Sequence, residues 1–417
     1  MIIKITDRLK YWGQLLLLPV YWLSFLFPRN KKIWLFGSTF GRRFADNPRY
    51  LYLYVSQHKE ELGLRPIWIS HNKDVVQMLN SKGYEAYMYH SLKGIWFALR
   101  GKVYLFDNYS KDINFWQSGG AMKVNLWHGI PLKKIQNDNI FDKFRHPKNL
   151  WEKIKNIPRN ISDEKSNHYV LTTSENLKPI FSSAFKTENV LVAGYPRNEV
   201  FISDEIQNVY SKEEKKDRKR IAEFLEDSSD SQNKMMIFYM PTFRQSETLF
   251  FDNFDKDDFQ IFLKENNILF CVKLHPKSKL NKEFEDIQNK NIMVINKDAD
   301  PYVFLKMADV LITDYSSIYF DYLLLDRPII FFAYDLKEYL SDSREMYFDY
   351  DEFTPGEKVK DYNTLKKIIH IAVSDNKAYK EKFAEFRKKI KEEVFDIEFK
   401  QAKCYKIIRE INRKENV

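Results

Sequence analysis

A chain of 417 residues is longer than one ordinary hydrophobic core, so its length predicts two domains. Hydrophobic residues make up 44% of the chain and charged residues 30%, a composition that excludes a disordered protein. The formal net charge of +9 predicts an anionic partner, such as lipid headgroups or a phosphate-rich substrate. No nucleic-acid partner is expected, because the sequence has no RNP, zinc-finger or helix-turn-helix pattern.

The first thirty residues differ from the rest of the chain. Tyr11 to Phe27 is an almost continuous apolar run, interrupted by Pro19 and flanked by basic residues on both sides. The run is at or below the length of a spanning helix, and Pro19 disfavours a regular helix there. We therefore expect residues 1–30 to lie in the cytoplasmic leaflet as a membrane-associating segment. The alternative is a buried hairpin of the first domain.

From Lys32 onwards, short apolar stretches alternate with helix-like stretches. Strands are predicted in this first half at Ile33–Phe36, Pro66–Ile69, Tyr84–Met88, Val103–Phe106, Val124–Leu126, Tyr169–Thr172 and Asn189–Ala193. Helices are predicted between them at Asn47–His58, Asp74–Ser81 and Ser91–Leu99. This alternation predicts a parallel sheet covered by helices.

A charged stretch from about Asp204 to Asn233, with a helix over Lys212–Glu226, predicts a domain boundary, after which the alternation restarts. Strands follow at Lys234–Tyr239, Ile268–Leu274, Ile292–Asn296, Val310–Thr313 and Pro328–Phe332. Helices are predicted at Asp257–Glu265, Pro301–Met307, Ser317–Leu325 and from Tyr362 onwards. We expect an α/β chain with a Rossmann-like domain over 31–205, a linker over 206–233 and a second Rossmann-like domain over 234–417. A nucleotide would lie in the cleft between these facing domains.

Two histidines follow predicted strands. His128 stands before Gly129 and Pro131, which favour a tight turn that would present the imidazole at the edge of the sheet. A neutral histidine there can take a proton from a hydroxyl nucleophile, although a structural histidine in a turn is the better interpretation of this motif alone. His275 stands between Lys273 and Lys277, where it is placed to bind phosphoryl oxygens; an ordinary capped strand end is an equal alternative.

Further polar residues follow other strands. Ser316 and Ser317 open a predicted helix and can bind an anion at its start or simply cap it. Asp321, one turn later, can meet the hydroxyl groups of a donor or be a solvated carboxylate. Thr242, Arg244 and Arg197 end two other strands, and arginine suits bidentate contact with phosphate. We expect no metal and no cofactor, because neither ligand spacing nor a Gly-rich nucleotide motif is present.

Five stretches, in this order, resemble the CDP-glycerol glycerophosphotransferase family of teichoic-acid primases and polymerases and related capsule polymerases. They are Trp127–Lys134, Gly194–Arg197, Tyr239–Arg244, Lys273–Pro276 and Asp309–Asp321. The resemblance covers most of residues 32 to 375. It departs from the family pattern at Ile130, where the family has threonine, and at Phe243, where it has tryptophan.

The resemblance implies a GT-B-like fold, a peripheral position on the cytoplasmic face of the membrane, and transfer of glycerol phosphate from CDP-glycerol with release of CMP. Carried onto this sequence, the two essential histidines of the family fall on His128 and His275. Its donor-contacting positions fall on Trp127, Gly129, Ile130, Pro131, Arg197, Thr242, Arg244, Lys273, Ser316, Ser317 and Asp321. The implied acceptor is a lipid-linked anionic polymer or glycan.

Three alternatives remain at this stage. CDP-ribitol can replace CDP-glycerol as the donor, and the product can be a teichoic acid or a capsule. A glycosyltransferase of the same architecture would use a nucleotide sugar, because fold alone does not fix the reaction. A non-catalytic protein that binds anionic polymer is the third, and two placed histidines argue against it.

Overall fold

The computed structural model describes residues 10–164, 168–204, 206–207, 209–227, 234–244, 254–336, 339, 345–396 and 403–415. The chain divides into two compact units. As far as they are described, the first contains Met1–His128, Ile135–Val209 and Asp396–Val417, and the second contains Gly129–Lys134 and Tyr210–Phe395. These ranges differ from the predicted domains. The N-terminal segment and the predicted linker up to Val209 belong to the first unit, and the linker from Tyr210 belongs to the second. Residues 129–134 join the second unit, and the C-terminal helix joins the first.

The first unit is built on a seven-stranded parallel sheet with the order β3-β2-β1-β4-β5-β6-β7. Its strands are β1 Asn30–Phe36, β2 Arg65–Ser70, β3 Ala86–Met88, β4 Gly101–Phe106, β5 Met122–Asn125, β6 Tyr169–Thr172 and β7 Val190–Val192. The order reverses direction between β1 and β4, as in doubly wound nucleotide-binding sheets. Apolar side chains such as Leu35, Ile67 and Phe106 form a core on this sheet.

The second unit repeats the pattern with six parallel strands in the order β10-β9-β8-β11-β12-β13. The strands are β8 Met235–Tyr239, β9 Ile268–Val272, β10 Ile292–Val294, β11 Val310–Thr313, β12 Ile329–Phe332 and β13 Glu357–Val359. Its core includes Ile237, Phe270 and Ile312. The predicted α/β class with parallel sheets is therefore confirmed, although β13 was not predicted.

Helices connect the strands in both units. Those of the first unit are α1 Leu18–Leu23, α2 Asp46–Gln57, α3 Lys59–Leu62, α4 Lys73–Asn80, α5 Leu92–Arg100, α6 Leu150–Glu164, α7 Lys178–Phe185 and, near the C-terminus, α17 Lys403–Glu415. Those of the second unit are α8 Lys212–Glu226, α9 Lys256–Glu265, α10 Leu280–Asp286, α11 Tyr302–Leu305, α12 Ile318–Tyr322, α13 Tyr350–Phe353, α14 Tyr362–Ser374, α15 Asn376–Lys382 and α16 Ala384–Val394.

The predicted helix Lys212–Glu226 is confirmed at both ends. A capping box explains its start, because Ser211 and Glu214 each accept the other's backbone N–H. The helix predicted over Ser317–Leu325 is present but changes type within this range. The structure has the five-residue α12 followed by a 3₁₀ turn over Leu323–Leu325. Helices α6 and α7 were not predicted; each contains a proline, Pro158 and Pro179, and proline is a residue that argues against a helix in sequence reasoning.

The described part of the apolar N-terminal run is helical in short pieces. A 3₁₀ turn over Gln14–Leu17 precedes α1, and a second over Ser24–Leu26 follows it. Pro19 lies in the first turn of α1, where a missing N–H costs nothing. Among the described residues, no helix combines the length and the apolar character needed to cross a bilayer.

Candidate active site

The backbone at the end of β5 presents His128 to solvent. Trp127 has a φ of 52°, a left-handed conformation that costs energy in a bulky residue. Two buried asparagines hold this conformation. Asn125 accepts the Trp127 N–H at 2.8 Å, and Asn47 donates to the Trp127 carbonyl oxygen at 2.8 Å. The indole is buried and lies 4.0 Å from the His128 ring, which is exposed.

One hydrogen bond determines which nitrogen of His128 is basic. The Nδ1 atom lies 2.9 Å from the backbone oxygen of Asp107. A carbonyl oxygen only accepts, so we assign the proton of the neutral ring to Nδ1. The lone pair is then on Nε2, the nitrogen that can take a proton from a nucleophile.

A pair of buried carboxyl groups lies beneath His128. Asp107 accepts hydrogen bonds from the Ser38 hydroxyl at 2.7 Å and the Thr39 N–H at 2.9 Å, and Asp112 accepts from the Phe40 N–H at 2.9 Å. Burial, followed by the charge of Asp107, raises the pKa of Asp112 well above its usual value. Burial and the charge of Asp46 also raise the pKa of Asp107, so the pair holds a proton more tightly than isolated carboxyls do.

The Gly-Tyr-Pro-Arg motif lies inside the first unit. The guanidinium of Arg197 is buried and pairs with Asp46 at 2.7 Å. The backbone N–H of Arg197 also donates to the side-chain oxygen of Asn47 at 3.2 Å. Asn47 is one of the residues that hold the Trp127 loop. In this structure Arg197 supports the His128 loop from behind, and its predicted contact with a donor stays a prediction.

His275 follows β9 in the second unit with the opposite tautomer. Its Nδ1 accepts the backbone N–H of Lys277 at 3.2 Å, which assigns the proton of the neutral ring to Nε2. The exposed ring lies 4.8 Å from the ring of Phe243. His275 is therefore prepared to donate a hydrogen bond, whereas His128 is prepared to accept one.

Lys273 lies two residues before His275 but is buried. Its buried ammonium donates to the backbone oxygens of Asn296 at 2.9 Å and Lys297 at 2.8 Å. These bonds fix the loop after β10, so the side chain has a structural partner where we expected a phosphate contact.

Arg244 is tied to its own unit through all five of its N–H groups. Asp335 takes two of them at 2.5 and 2.9 Å, and Asp314 takes one at 2.8 Å. The Thr242 carbonyl oxygen and the Tyr315 hydroxyl take the other two at 2.8 and 2.9 Å. Burial alone would lower the pKa of Arg244, but the charges of Asp314 and Asp335 raise it above its usual value.

Asp314 connects the predicted anion-binding residues. Its carboxylate accepts the N–H of Thr242 at 2.9 and 3.0 Å and that of Ser316 at 3.0 Å. The Ser316 N–H that we expected to bind an external anion therefore already meets a carboxylate of the protein. Ser317 caps α12 without a side-chain hydrogen bond to the helix.

The segment after His128 packs into the second unit. A Cβ on Gly129 would lie 2.7 Å from Ser317 Oγ, so only glycine allows this approach. Ile130 and Pro131 are buried, and Leu132 accepts the N–H of Tyr347 at 2.9 Å. Gly129 therefore packs against the start of α12 within the second unit.

Asp321 is fully buried and accepts the hydroxyl hydrogen of Tyr302 at 2.7 Å. The alternative of a solvated helix carboxylate is wrong for this residue. Its predicted contact with donor hydroxyl groups stays a prediction. Within the part of the chain that the structure describes, we find no group of three His, Cys, Asp or Glu side chains arranged to hold a metal ion.

Sequence reasoning missed several residues that lie beside His128, His275 or Arg244: Asp107, Asp112, Phe243, Tyr315 and Asp335. A signal was present for Asp107, which directly follows the predicted strand Val103–Phe106 and so lies at the same edge of the sheet as His128. Asp335 follows strand β12 in a comparable position.

Comparison with known proteins decides the family. The profile of the CDP-glycerol:poly(glycerophosphate) glycerophosphotransferase family matches residues 20–393. The chain belongs to this family. The teichoic acid poly(glycerol phosphate) polymerase of Bacillus spizizenii is 29% identical to this glycerophosphotransferase over 384 residues, which cover 88% of this chain and 90% of the relative. A teichoic acid ribitol-phosphate primase of the same organism is 27% identical over 300 residues, 71% of this chain and 72% of the relative.

A solved structure shares the fold. The structure of the wall teichoic acid polymerase TagF aligns with a TM-score of 0.70 and 22% identity, covering 100% of this glycerophosphotransferase and 99% of that chain. At this identity the likeness supports the parallel α/β architecture and leaves the individual site residues to be argued from their own geometry.

Proposed function

We propose that this glycerophosphotransferase transfers glycerol phosphate from CDP-glycerol to a lipid-linked or polymeric acceptor in the synthesis of a teichoic acid or capsule-type polymer. The observation that carries the proposal is the opposite hydrogen bonding of two exposed histidines. His128 keeps a lone pair on Nε2, and His275 keeps a proton there. A phosphoryl transfer requires both a group that accepts a proton and a group that donates to phosphoryl oxygen.

In this proposal an acceptor hydroxyl attacks the phosphorus that carries the glycerol. Nε2 of His128 takes the hydroxyl proton while a new O–P bond forms. The anhydride bond to the other phosphorus breaks at the same centre, and CMP leaves with the bonding electrons. Nε2–H of His275 donates to the phosphoryl oxygens, where negative charge grows as the bond breaks.

The remaining proposed residues have supporting roles. The loop of Trp127, Gly129, Ile130 and Pro131 fixes His128, and the hydroxyls of Thr242, Ser316 and Ser317 supply polar contacts to the diphosphate. Arg197, Arg244 and Lys273 contribute positive charge, and Asp321 a carboxylate. We propose a GT-B-like fold, in line with the doubly wound order of both sheets.

We also propose that the enzyme works as a peripheral protein on the cytoplasmic face of the membrane. Large apolar side chains of the N-terminal segment are exposed, with Trp22 at 60% and Leu26 at 77%. Helix α6 exposes a second apolar stripe that includes Leu150 and Trp151, and the Tyr11 hydroxyl donates to the Lys155 backbone oxygen of this helix at 2.8 Å. Exposed tryptophan and leucine beside basic residues favour the bilayer interface.

The test is a transfer assay with purified enzyme, a lipid-linked acceptor, and CDP-glycerol, CDP-ribitol or UDP-sugar as the donor. We expect product masses that rise by glycerol phosphate units and equimolar release of CMP. Efficient transfer from CDP-ribitol alone would move the enzyme to the ribitol-phosphate class to which one relative belongs. Release of UDP with a sugar added to the acceptor would replace the proposal by a glycosyltransferase.

A further inference from the structure

A cavity of about 480 Å³ opens at the amino-terminal edge of the first sheet. Its lining includes Lys102 at the start of β4, Lys123 at the start of β5 and His168 directly before β6. His128 and Asp107 follow the opposite ends of β5 and β4. Four residues of β5, at about 3.3 Å each, separate the two edges by roughly 13 Å, so this cavity is distinct from the proposed catalytic edge.

The cavity is electropositive. Lys102, Lys123 and His168 line it, and its described lining contains no Asp or Glu. Lys123 is buried, and its ammonium lies 5.4 Å from the ring centre of Tyr21 and 5.6 Å from that of Phe115. A buried cation held over aromatic faces creates a positive potential that water screens weakly.

The positive charge of the cavity acts on His168. Burial, together with the charges of Lys123 and Lys102, lowers its pKa. The Nδ1 atom of His168 accepts the backbone N–H of Lys123 at 3.4 Å. This bond leaves the proton of the neutral ring on Nε2. An anion bound beside these three groups would gain two lysine charges and a ring N–H donor.

The N-terminal segment forms one wall of the cavity through Tyr21 and Phe25. This segment is fixed to the first unit, because Ser24 accepts the Gly119 N–H at 2.9 Å and Arg29 donates to Gln117 at 2.7 Å. Its neighbouring side chains Trp22 and Leu26 are exposed. The electropositive cavity therefore lies beside apolar side chains that suit acyl chains.

We propose that this cavity, the β4–β7 pocket, binds a phosphate anion, and that its source is the headgroup of an anionic phospholipid. The proposal rests on the membrane position in the proposed function. The phosphate lies between Lys102, Lys123 and His168, while the acyl chains lie along Trp22 and Leu26. The volume fits one headgroup and lies within the range of small-ligand sites. Binding there orients the sheet against the membrane surface at a place separate from the chemistry.

The test uses Lys102→Gln combined with His168→Gln, because Lys123 is buried and its replacement risks the fold. Full-length wild-type and variant enzyme are titrated with dihexanoyl-phosphatidylglycerol, dihexanoyl-phosphatidylcholine and inorganic phosphate. We expect the wild type to bind dihexanoyl-phosphatidylglycerol. The variant should bind it at least about fivefold more weakly, because each basic residue near an anionic headgroup contributes about 1 kcal/mol. Lys59→Gln with Lys73→Gln, exposed lysines of the same unit, is the matched control and should bind as the wild type does.

The two sources of phosphate give different results. Binding of the phosphatidylglycerol well above that of inorganic phosphate identifies a lipid headgroup, and equal binding identifies free phosphate. The proposal would be overturned if the wild type bound neither dihexanoyl-phosphatidylglycerol nor inorganic phosphate. Equal binding by the variant and the wild type would also overturn it. The NMR pKa of His168 adds a second measurement, because a bound anion must raise it.

Catalytic turnover separates this proposal from the proposed function. With CDP-glycerol and an acceptor in detergent, the Lys102→Gln, His168→Gln enzyme should turn over at the wild-type rate. The proposed function can thus fail while the pocket binds phosphate, and the pocket can fail while transfer proceeds.

Discussion

At the scale of single residues, the environment of each histidine differs in kind. The ring of His128 is directed by a backbone carbonyl oxygen, which mutation of a side chain cannot remove. The ring of His275 is directed by a backbone N–H and by the aromatic ring of Phe243. The side chain of Phe243 is therefore the part of the His275 environment that substitution can change.

We predict that Phe243→Ala lowers kcat by about tenfold, because an aromatic contact is worth roughly 0.5–1.5 kcal/mol in orienting its partner. The KM for CDP-glycerol should change little, since Phe243 positions His275. Phe243→Trp introduces the residue of the family pattern and should turn over at about the wild-type rate. Ile261→Ala removes another exposed apolar side chain of the same unit and serves as the control. A rise in KM with unchanged kcat would instead make Phe243 a donor contact.

The carboxyl pair beneath His128 predicts how stability depends on pH. The folded pKa of Asp112 is raised, so the folded chain holds a proton that the unfolded chain releases above about pH 3.9. The folded state then binds more protons, and stability falls as pH rises from that value towards the folded pKa. Asp112→Asn removes the titrating group and should flatten this decline.

The measurement is the melting temperature of both proteins between pH 5 and pH 8. The difference, variant minus wild type, should grow as pH rises. Glu60→Gln, on an exposed carboxylate, should give a constant difference. A constant difference for Asp112→Asn as well would show that the pair holds no additional proton.

Ile130 is a position where the family pattern alone does not give the role of the side chain. The family has threonine at this position, and a sequence does not show whether such a side chain meets substrate or lies inside the fold. The structure buries Ile130 in the second unit. The exchange therefore alters packing beneath the loop that carries Gly129.

At the scale of secondary-structure elements, the ends of β8, β11 and β12 meet on Arg244. Its five N–H groups bind Asp335, Asp314, Tyr315 and the Thr242 carbonyl oxygen. Tyr315 also donates to Asp335. This network fixes the turn of Thr242 and the start of α12 together.

We predict that Arg244→Ala destabilises the protein by about 3–5 kcal/mol, because it leaves the buried Asp314 and the largely buried Asp335 without their cation. Thermal and urea unfolding of the full-length enzyme measure this loss. Lys256→Ala, which breaks an exposed pair with Glu283, should leave the unfolding transition nearly unchanged, because water screens an exposed ion pair. Adding Asp335→Asn to Arg244→Ala should recover part of the loss. An Arg244→Ala enzyme as stable as the wild type would contradict this structural role of Arg244.

Elements of regular alternation were predictable, and elements set by distant contacts were not. Strands such as Tyr169–Thr172 and Val310–Thr313 are apolar runs between polar stretches, and the structure has the predicted bounds. Strand β13 is short and contains Glu357 and Lys358, so its strand form depends on pairing with β12. Helix α6 exposes apolar side chains and contains Pro158, two features that hide it from periodicity arguments.

At the scale of the whole molecule, the chain passes between the two units more often than a linear division predicts. Residues 129–134 leave the first unit directly after His128 and pair with Glu345 and Tyr347. Helix α17 returns to the first unit, where Glu199 accepts the Cys404 N–H at 3.0 Å and burial lowers the pKa of Lys403 to about 8. Partners that lie 200 residues apart leave no periodic signal in the sequence.

The positions of the candidate site residues were predictable where they directly follow predicted strands. In parallel sheets, residues after consecutive strands share one edge, and this rule found His128, His275, Thr242 and Ser316. The rule does not say which cations are already neutralised inside the protein. Arg197, Arg244 and Lys273 all have internal partners, which only the folded chain reveals.

The proposed transfer depends most on His128 as its base, and His128→Ala tests this role directly. The rate of CMP release from CDP-glycerol should fall by a factor of about 10² to 10⁴, the usual contribution of a general base. Equilibrium binding of CDP-glycerol should stay near the wild-type value, and His58→Ala should leave both quantities unchanged. A fall in rate of less than about tenfold, with the donor still bound, would contradict the account.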